Sequence, residues 1–567
     1  MWIAATFFVV GLVRTALAAA PVLPADTILS NGHIYTGDGW AQALAIDRGV
    51  IIDVGEDGAI MQHARAGTRV IDLRNETVMP GLYDMHVHPM GAGSLHTACR
   101  FAQGLPPARI ADAVRGCVAR HKPGAWITGG QWDAASFGQV PVNRVLLDRV
   151  SPNNPVALMD ISVHALWLNS RALELVGITR ATPNPPGGII ERDAHGEPTG
   201  VVRESARALV QAAIPAATPT ENVADLKWAL GEMLSYGITS LTDAGIDENG
   251  LSAYATLADE GLLKQRVLGC IGWHPEPFAT GDTAIEAAIR DRNLYARPRF
   301  RPECIKVFLD GVPTEGHTAA MLKPYADASR SDPARVRGML MVPQTLLNAA
   351  VTRFDRMGLT VKFHAAGDAA VRAALDSIEA ARKANGFSGL LHNVGHNSFV
   401  AMSDIERARS LAATFEMSPY IWYPNPIIPD IQKAIGAERM QRWIPVKDAI
   451  DSGALVVPGS DWAVVPSVNP WIAIEALVTR QRPGGGGEIL GAQERITLKQ
   501  AIDLFTINAA REMGTGDKTG RIARGWLADL LVLDRDPFAV PITQVHDTHV
   551  RAVMINGEIV LRNGFPL

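Results

Sequence analysis

The chain has 567 residues, 47% hydrophobic and 20% charged, which excludes a disordered or fibrous protein. Lys+Arg number 53 against 58 Asp+Glu, a net charge of −5 with no basic run, so there is no electrostatic case for a nucleic-acid partner. Four cysteines in this length exclude a disulfide scaffold, and the expectation is a large globular enzyme.

Trp2 to Val13 form an apolar run of twelve, too short for a bilayer, which needs about 20 residues. Ala16-Leu17-Ala18-Ala19 follows as a cleavage-like box, so residues 1–18 read as a signal peptide and the protein as periplasmic or secreted. The run lacks a basic residue before it and has Arg14 after it, which leaves open an uncleaved amphipathic segment or a misplaced start. Export would permit a disulfide. Cys99 and Cys117 are the pair close in sequence, whereas Cys270 and Cys304 fall in predicted strands.

Residues 26–80 alternate apolar and polar with Gly and Asn between runs, a hairpin signature. The C-terminal segments LADLLVLDRDP and VRAVMINGEIVLRNG read the same way, so residues 19–80 and 500–567 are expected to join into one composite β-sandwich. Between them stand eight apolar runs with polar endings: VMPGLYDMHVH, ITSLTDAG, RVLGCIGW, CIKVFLDG, LTVKFHAAGD, LLHNVGH, LAATFEMSP and ALVVPGSD. Helix-like stretches separate most of them. Repeated strand–helix alternation predicts an α/β fold, a (β/α)8 TIM barrel over 81–499. The piece at about 95–230 is too long for one crossover and reads as an inserted subdomain, with a hairpin at Gly188–Glu204.

Residues at the C-terminal ends of barrel strands converge on one site. Those ends supply His86, His88, Asp243, Lys306, His364, His396 and Asp461. Imidazole and carboxylate suit zinc or a similar divalent ion. His86-Val87-His88 places two imidazoles on one face of a strand, within reach of one ion.

VMPGLYDMHVHPMG, WITGGQWD, HALWLNSRAL, IKVFLDG, HTAAMLKPY, VKFHAAGDAAV, GSDWAV and GWLADLLVLDRDP together resemble the amidohydrolase superfamily, in its family 3 branch, over nearly the whole mature chain. The resemblance implies a metal-dependent hydrolase with two divalent ions, zinc first among them. His86, His88 and Asp461 would bind the more buried ion, and His364 and His396 the second. Lys306 would be carboxylated to bridge them; otherwise it is a strand-end lysine paired with Asp310, and the site mononuclear. The family reads Arg-His-x-Ile-Glu-His where this chain has Leu391-His392-Asn393-Val394-Gly395-His396. Glycine thus replaces an acid whose loss would loosen a site about 10- to 100-fold if it held a ligand. Either His392 or His396 is then the ligand, with position in the motif favouring His396.

The expected chemistry is attack on a substrate carbonyl by hydroxide held on metal, with Asp461 moving the proton to a leaving nitrogen. Trp132, Trp167, Trp422, Tyr423 and Trp462 are candidates for a mouth suited to a hydrophobic or aromatic small molecule, as are His164 and His317 for substrate contact. Asp368 is expected to fix the loop after the fifth strand. The leading activity is hydrolysis of a non-peptide C–N bond. A lactonase or esterase on the same metals and a non-catalytic barrel are the rivals. No stable membrane span is expected, and the family resemblance is compatible with a homodimer without deciding the oligomeric state.

Overall fold

The computed structural model describes residues 23–274, 283–328, 335–421 and 427–565. The N-terminal apolar run, Trp422 and Tyr423 lie outside them.

All eight apolar runs are strands of one parallel sheet: β1 (Leu82–Val87), β2 (Ile238–Ile246), β3 (Arg266–Trp273), β4 (Phe300–Phe308), β5 (Thr360–Ala365), β6 (His392–His396), β7 (Ala413–Met417) and β8 (Leu455–Pro458). Each pairs with its successor, and β1 and β8 approach each other, nearly closing the barrel. At the rim the Asp461 amide donates to the His86 carbonyl (2.7 Å) and the His88 amide to that of Trp462 (2.6 Å). The strands are apolar on both faces because side chains fill the barrel inside while helices cover it outside. The helix Asp368–Asn385 shows the pattern: Ala370, Val371, Ala374, Leu375, Ile378 and Ala381 form its buried stripe at three- and four-residue spacing. Asp368 at its start accepts the Leu322 amide (2.7 Å), tying the loops after β4 and β5 together.

Between β1 and β2 a separate six-stranded sheet runs from Cys99–Arg100 to the expected hairpin, Gly188–Arg192 with Pro198–Glu204. The helix Pro219–Ser235, begun by a Thr218/Glu221 capping box, then leads into β2. The chain ends meet as expected: Thr77–Pro80 pairs antiparallel with Leu530–Leu533. The resulting six-stranded sheet shares a core of Leu29, Leu44, Ile71, Val78, Leu530 and Val532 with a four-stranded sheet of N-terminal strands. Residues 504–512 lie against β1 and β8 before the chain returns to these sheets.

The Cys99–Cys117 bridge is present, joining the first strand of the insert to the helix Pro107–Val118. Cys270 and Cys304, placed in predicted strands by the sequence, are also bridged. They stand opposite each other on β3 and β4. That register is a property of the closed sheet and is invisible in the spacing of the two residues. The bridge closes a loop of 34 residues, for which chain entropy gives about 3–4 kcal/mol. Cys270→Ser is therefore expected to lower the urea midpoint by that equivalent. An unchanged midpoint in paired oxidised and reduced titrations would remove the bridge from the stability of the fold.

Candidate active site

The ends of β1, β4, β5, β6 and the turn after β8 surround one cavity of about 530 Å³, within the usual range for small-molecule sites. His86, His88, Lys306, His364, His396 and Asp461 all line it. Asp461 Oδ1 lies 3.3 Å from His88 Nε2 and 3.7 Å from His86 Nε2, and its Oδ2 lies 3.9 Å from His396 Nδ1. Donors about 2.1 Å from a tetrahedral ion stand roughly 3.4 Å apart, so these separations suit a shared cation. Among the described residues, donor atoms of His86, His396 and Asp461 fall within 4.8 Å of one another. His396 Nε2, the ring nitrogen not turned to Asp461 Oδ2, is buried with no hydrogen-bond partner, a vacancy in its bonding that a further ligated ion would fill. His396 and Asp461 both hold positive φ (71° and 58°), a conformation costing about 1–3 kcal/mol in non-glycine residues and found at sites where geometry outweighs local comfort.

The His364 ring lies 4.2 Å from that of His396, but its Nε2 meets the Gly311 carbonyl at 3.1 Å, so it borders the three-residue cluster without joining it. Burial first, and then neighbouring cations, hold the His86, His364 and His396 imidazoles well below their ordinary pKa, in the neutral form that ligates metal. Lys306 is fully buried with Nζ 3.0 Å from His86 Nε2. Burial and then Lys362 push its ammonium down to about 7. Asp310 does not pair with it: that carboxylate accepts the amides of Ala320, Ala366 and Gly367 instead. His392 is resolved as structural. It sits at the opposite end of β6, with Nε2 3.1 Å from Asp355 and Nδ1 accepting the Val361 amide.

Glu416, in the middle of the seventh apolar run, was not singled out in the sequence. Its Oε2 lies 2.6 Å from His86 Nδ1 and accepts the His396 amide, while Oε1 accepts the Ser418 hydroxyl. Burial raises its carboxyl to about 7. A carboxylate behind a ligand imidazole fixes its tautomer and orientation. Gly395 leaves the room: a Cβ there would lie 2.9 Å from Glu416 Oε2 and 3.2 Å from His86 Nδ1. The absence of an acid at 395 therefore leaves no gap, because a carboxylate from β7 occupies the space.

Of the remaining predicted contacts that fall among the described residues, only His164 reaches the cavity. Its Nδ1 meets Glu204 Oε2 at 2.8 Å. Burial lowers its pKa, but the charge and hydrogen bond of Glu204 outweigh this, so the net direction is upward. Trp132 and Trp167 are corrections: both are buried in the core of the insert, edge to face with Phe137, and Trp132 Nε1 donates to the Leu158 carbonyl. Trp462 packs against Trp228 rather than lining the cavity. His317 stacks on Tyr325 and pairs with Asp327 at 2.8 Å, away from it. Asp243 accepts the Tyr254 hydroxyl beneath the site. The described walls are largely apolar, with Ile161, Val163, Phe308, Val312 and Met341 among them, and Arg207 is a cation on the insert side.

Residues 69–561 match the model of the amidohydrolase family. The chain belongs to that family. This amidohydrolase is 28% identical to the protein YtcJ of Bacillus subtilis, over 94% of this chain and 99% of that one. It is 27% identical to the N-substituted formamide deformylase of Arthrobacter pascens, over 94% and 97%. A metal-dependent hydrolase of Pyrococcus horikoshii superposes with a TM-score of 0.71 at 25% identity, covering 91% of this chain and 99% of that one. The amidohydrolase is thus a metal-dependent hydrolase built on a nearly closed eight-stranded barrel. Among its described residues no helix is long and apolar enough to cross a membrane.

Proposed function

We propose that this amidohydrolase cleaves a non-peptide C–N bond, of the formamide, N-acyl amine or carbamate kind, in a small substrate with an apolar body. The observation that carries the reading is the convergence of His86, His88, His396 and Asp461 on one end of an apolar cavity, with His396 Nε2 unsatisfied. The similarity to a formamide deformylase supports an amide over an ester. In this reading His86, His88 and Asp461 would hold one divalent ion, and His364 and His396 a second. Lys306 would join the ligands as its carbamate, since a bare ammonium 3.0 Å from His86 would repel a cation that the carbamate would attract. Bound ions supply Lewis acidity toward a carbonyl oxygen and lower the pKa of water beside it. Asp461 takes a proton from the attacking water and returns it to the leaving nitrogen, which departs as neutral amine. His164, held by Glu204, keeps Nε2 for the substrate.

Elemental analysis of protein purified without chelators is expected to find two equivalents of divalent metal, zinc foremost, and a panel of matched amides and esters to show amide turnover that chelation abolishes. Absence of metal that cannot be restored overturns the reading, and turnover of esters alone moves it to a lactonase or esterase. Lys306→Met is expected to leave about one equivalent; retention of two would show that the lysine bridges nothing.

Export to an oxidising compartment belongs to the same proposal. All four cysteines are paired, a usage foreign to a reducing cytosol. A mature N-terminus at Ala19 in protein from the native cell is the expected finding.

A further inference from the structure

We propose that the substrate carries a carboxylate and that Arg207 receives it. The proposal deepens the amide reading but stands on a different observation. Arg207 opens the short helix Arg207–Gln211, directly after the strand Pro198–Glu204 that supplies the partner of His164, and its side chain lines the cavity. Its Nε donates to the Glu204 carbonyl at 3.2 Å, and Nη1 touches the sulfur of Met159 at 3.9 Å. A guanidinium has five N–H donors in a planar fork, so most of them are left over.

The acids whose charge reaches Arg207 are Glu204 and Asp160, and both are committed elsewhere. Glu204 Oε2 binds His164 Nδ1, and Asp160 accepts the Ser162 hydroxyl and the Ala165 amide. Neither closes an ion pair with the guanidinium. The adjacent Arg203 is different, with Glu191 at 3.1 Å and Glu315 at 3.0 Å. Arg207 is thus the cation of this wall held without a carboxylate of its own, facing a cavity whose lining is otherwise largely apolar. A charge so placed is costly until a counter-ion completes it, and the fork of an arginine fits a carboxylate with two parallel hydrogen bonds.

Position narrows the substrate further. The His164 ring lies 5.3 Å from that of His364 at the metal end, and His164 and Arg207 are both tied to Glu204. A carboxylate on Arg207 therefore sits on the same wall as His164, which borders the metal end, with the apolar body left to the Phe308, Val312 and Met341 side. An N-acylated or N-formylated amino acid with an apolar side chain has this layout.

The test is calorimetric binding of 3-phenylpropanoate and 3-phenylpropanamide, alike except in charge, to the metal-loaded enzyme and its Arg207→Met and Arg207→Lys variants. A charge-assisted pair outweighs a neutral hydrogen bond, so the carboxylate is expected to bind at least about tenfold tighter than the amide in the native enzyme. That preference should fall below about threefold in Arg207→Met and be partly kept in Arg207→Lys. Equal binding of the two probes by the native enzyme overturns the proposal. So does an undiminished preference in Arg207→Met, which would place the anion on the metals. If Arg207→Met does not fold, Arg207→Gln gives the same readout. Because no turnover is needed, a Arg207-dependent preference in an enzyme that cleaves no amide overturns the C–N reading alone.

Discussion

Asp461→Asn is expected to lower kcat by roughly 10²–10⁴, the range for loss of a general acid–base group, while most of the metal stays bound. The fold should accept the change. Asp461 holds φ 58°, a conformation asparagine tolerates, and its backbone is fixed by bonds to the His86 carbonyl and the Val464 amide, neither of which involves the side chain. The amide oxygen can still face His88, where Asp461 Oδ1 lies, but the group can no longer accept and return a proton. Parallel measurement of kcat and metal per chain decides the point. Metal lost in proportion to activity would make the residue a ligand and nothing more, and unchanged kcat would remove it from the chemistry.

What the sequence made legible followed from one rule, that the C-terminal ends of parallel barrel strands meet. That rule brought His86, His88, Lys306, His364, His396 and Asp461 to one cavity, although they are spread over 376 positions from His86 to Asp461. Between His396 and His392 only position in the motif favoured the former, and the structure settles it by placing His392 at the other end of the same short strand. The tryptophans failed for a physical reason. A strand sends alternate side chains to opposite faces, and next to Gln131, whose amide reaches the Ala463 carbonyl by the site, Trp132 turns into the core of the insert. Proximity to a motif says nothing about which face a side chain takes. Cys270 and Cys304 depended likewise on register between strands.

Glu416, Glu204 and Arg207 were missed because each acts through a partner distant in sequence. Glu416 meets His86 across 330 positions, and Glu204 meets His164 only after the insert has folded back on itself. The usable signal was a lone carboxylate inside LAATFEMSP, which burial forbids unless it is paired. The insert thus divides the labour of the site. Barrel strands hold the groups suited to the metal, while the insert brings His164, Glu204 and Arg207 to the cavity wall, where the proposed reading has them meet the substrate. Substrate choice can then change by substitution in the insert without disturbing the metal ligands.

Glu416→Ala is expected to weaken metal binding by about 10–100-fold, the usual cost of removing a carboxylate that orients a ligand histidine. Glu416→Gln, which keeps the volume and one acceptor, should cost less. The alanine variant also leaves His86 Nδ1 without a partner in a fully buried site and removes an anion from near Lys362, so its stability should fall as well. Metal affinity is therefore the readout, by competition with a chelator on folded protein. Gly459→Ala supplies a control that leaves every ionisable group in place. A Cβ at 459 would lie 2.4 Å from both Glu416 Oε1 and the Cβ of His86, so one of them must move. If the pairing of Glu416 with His86 sets the affinity, Gly459→Ala should lose metal as Glu416→Ala does, and the double variant should lose little more than either alone. Native affinity in Glu416→Ala would show that His86 is held without it; additive losses in the double variant would show that the two positions act separately.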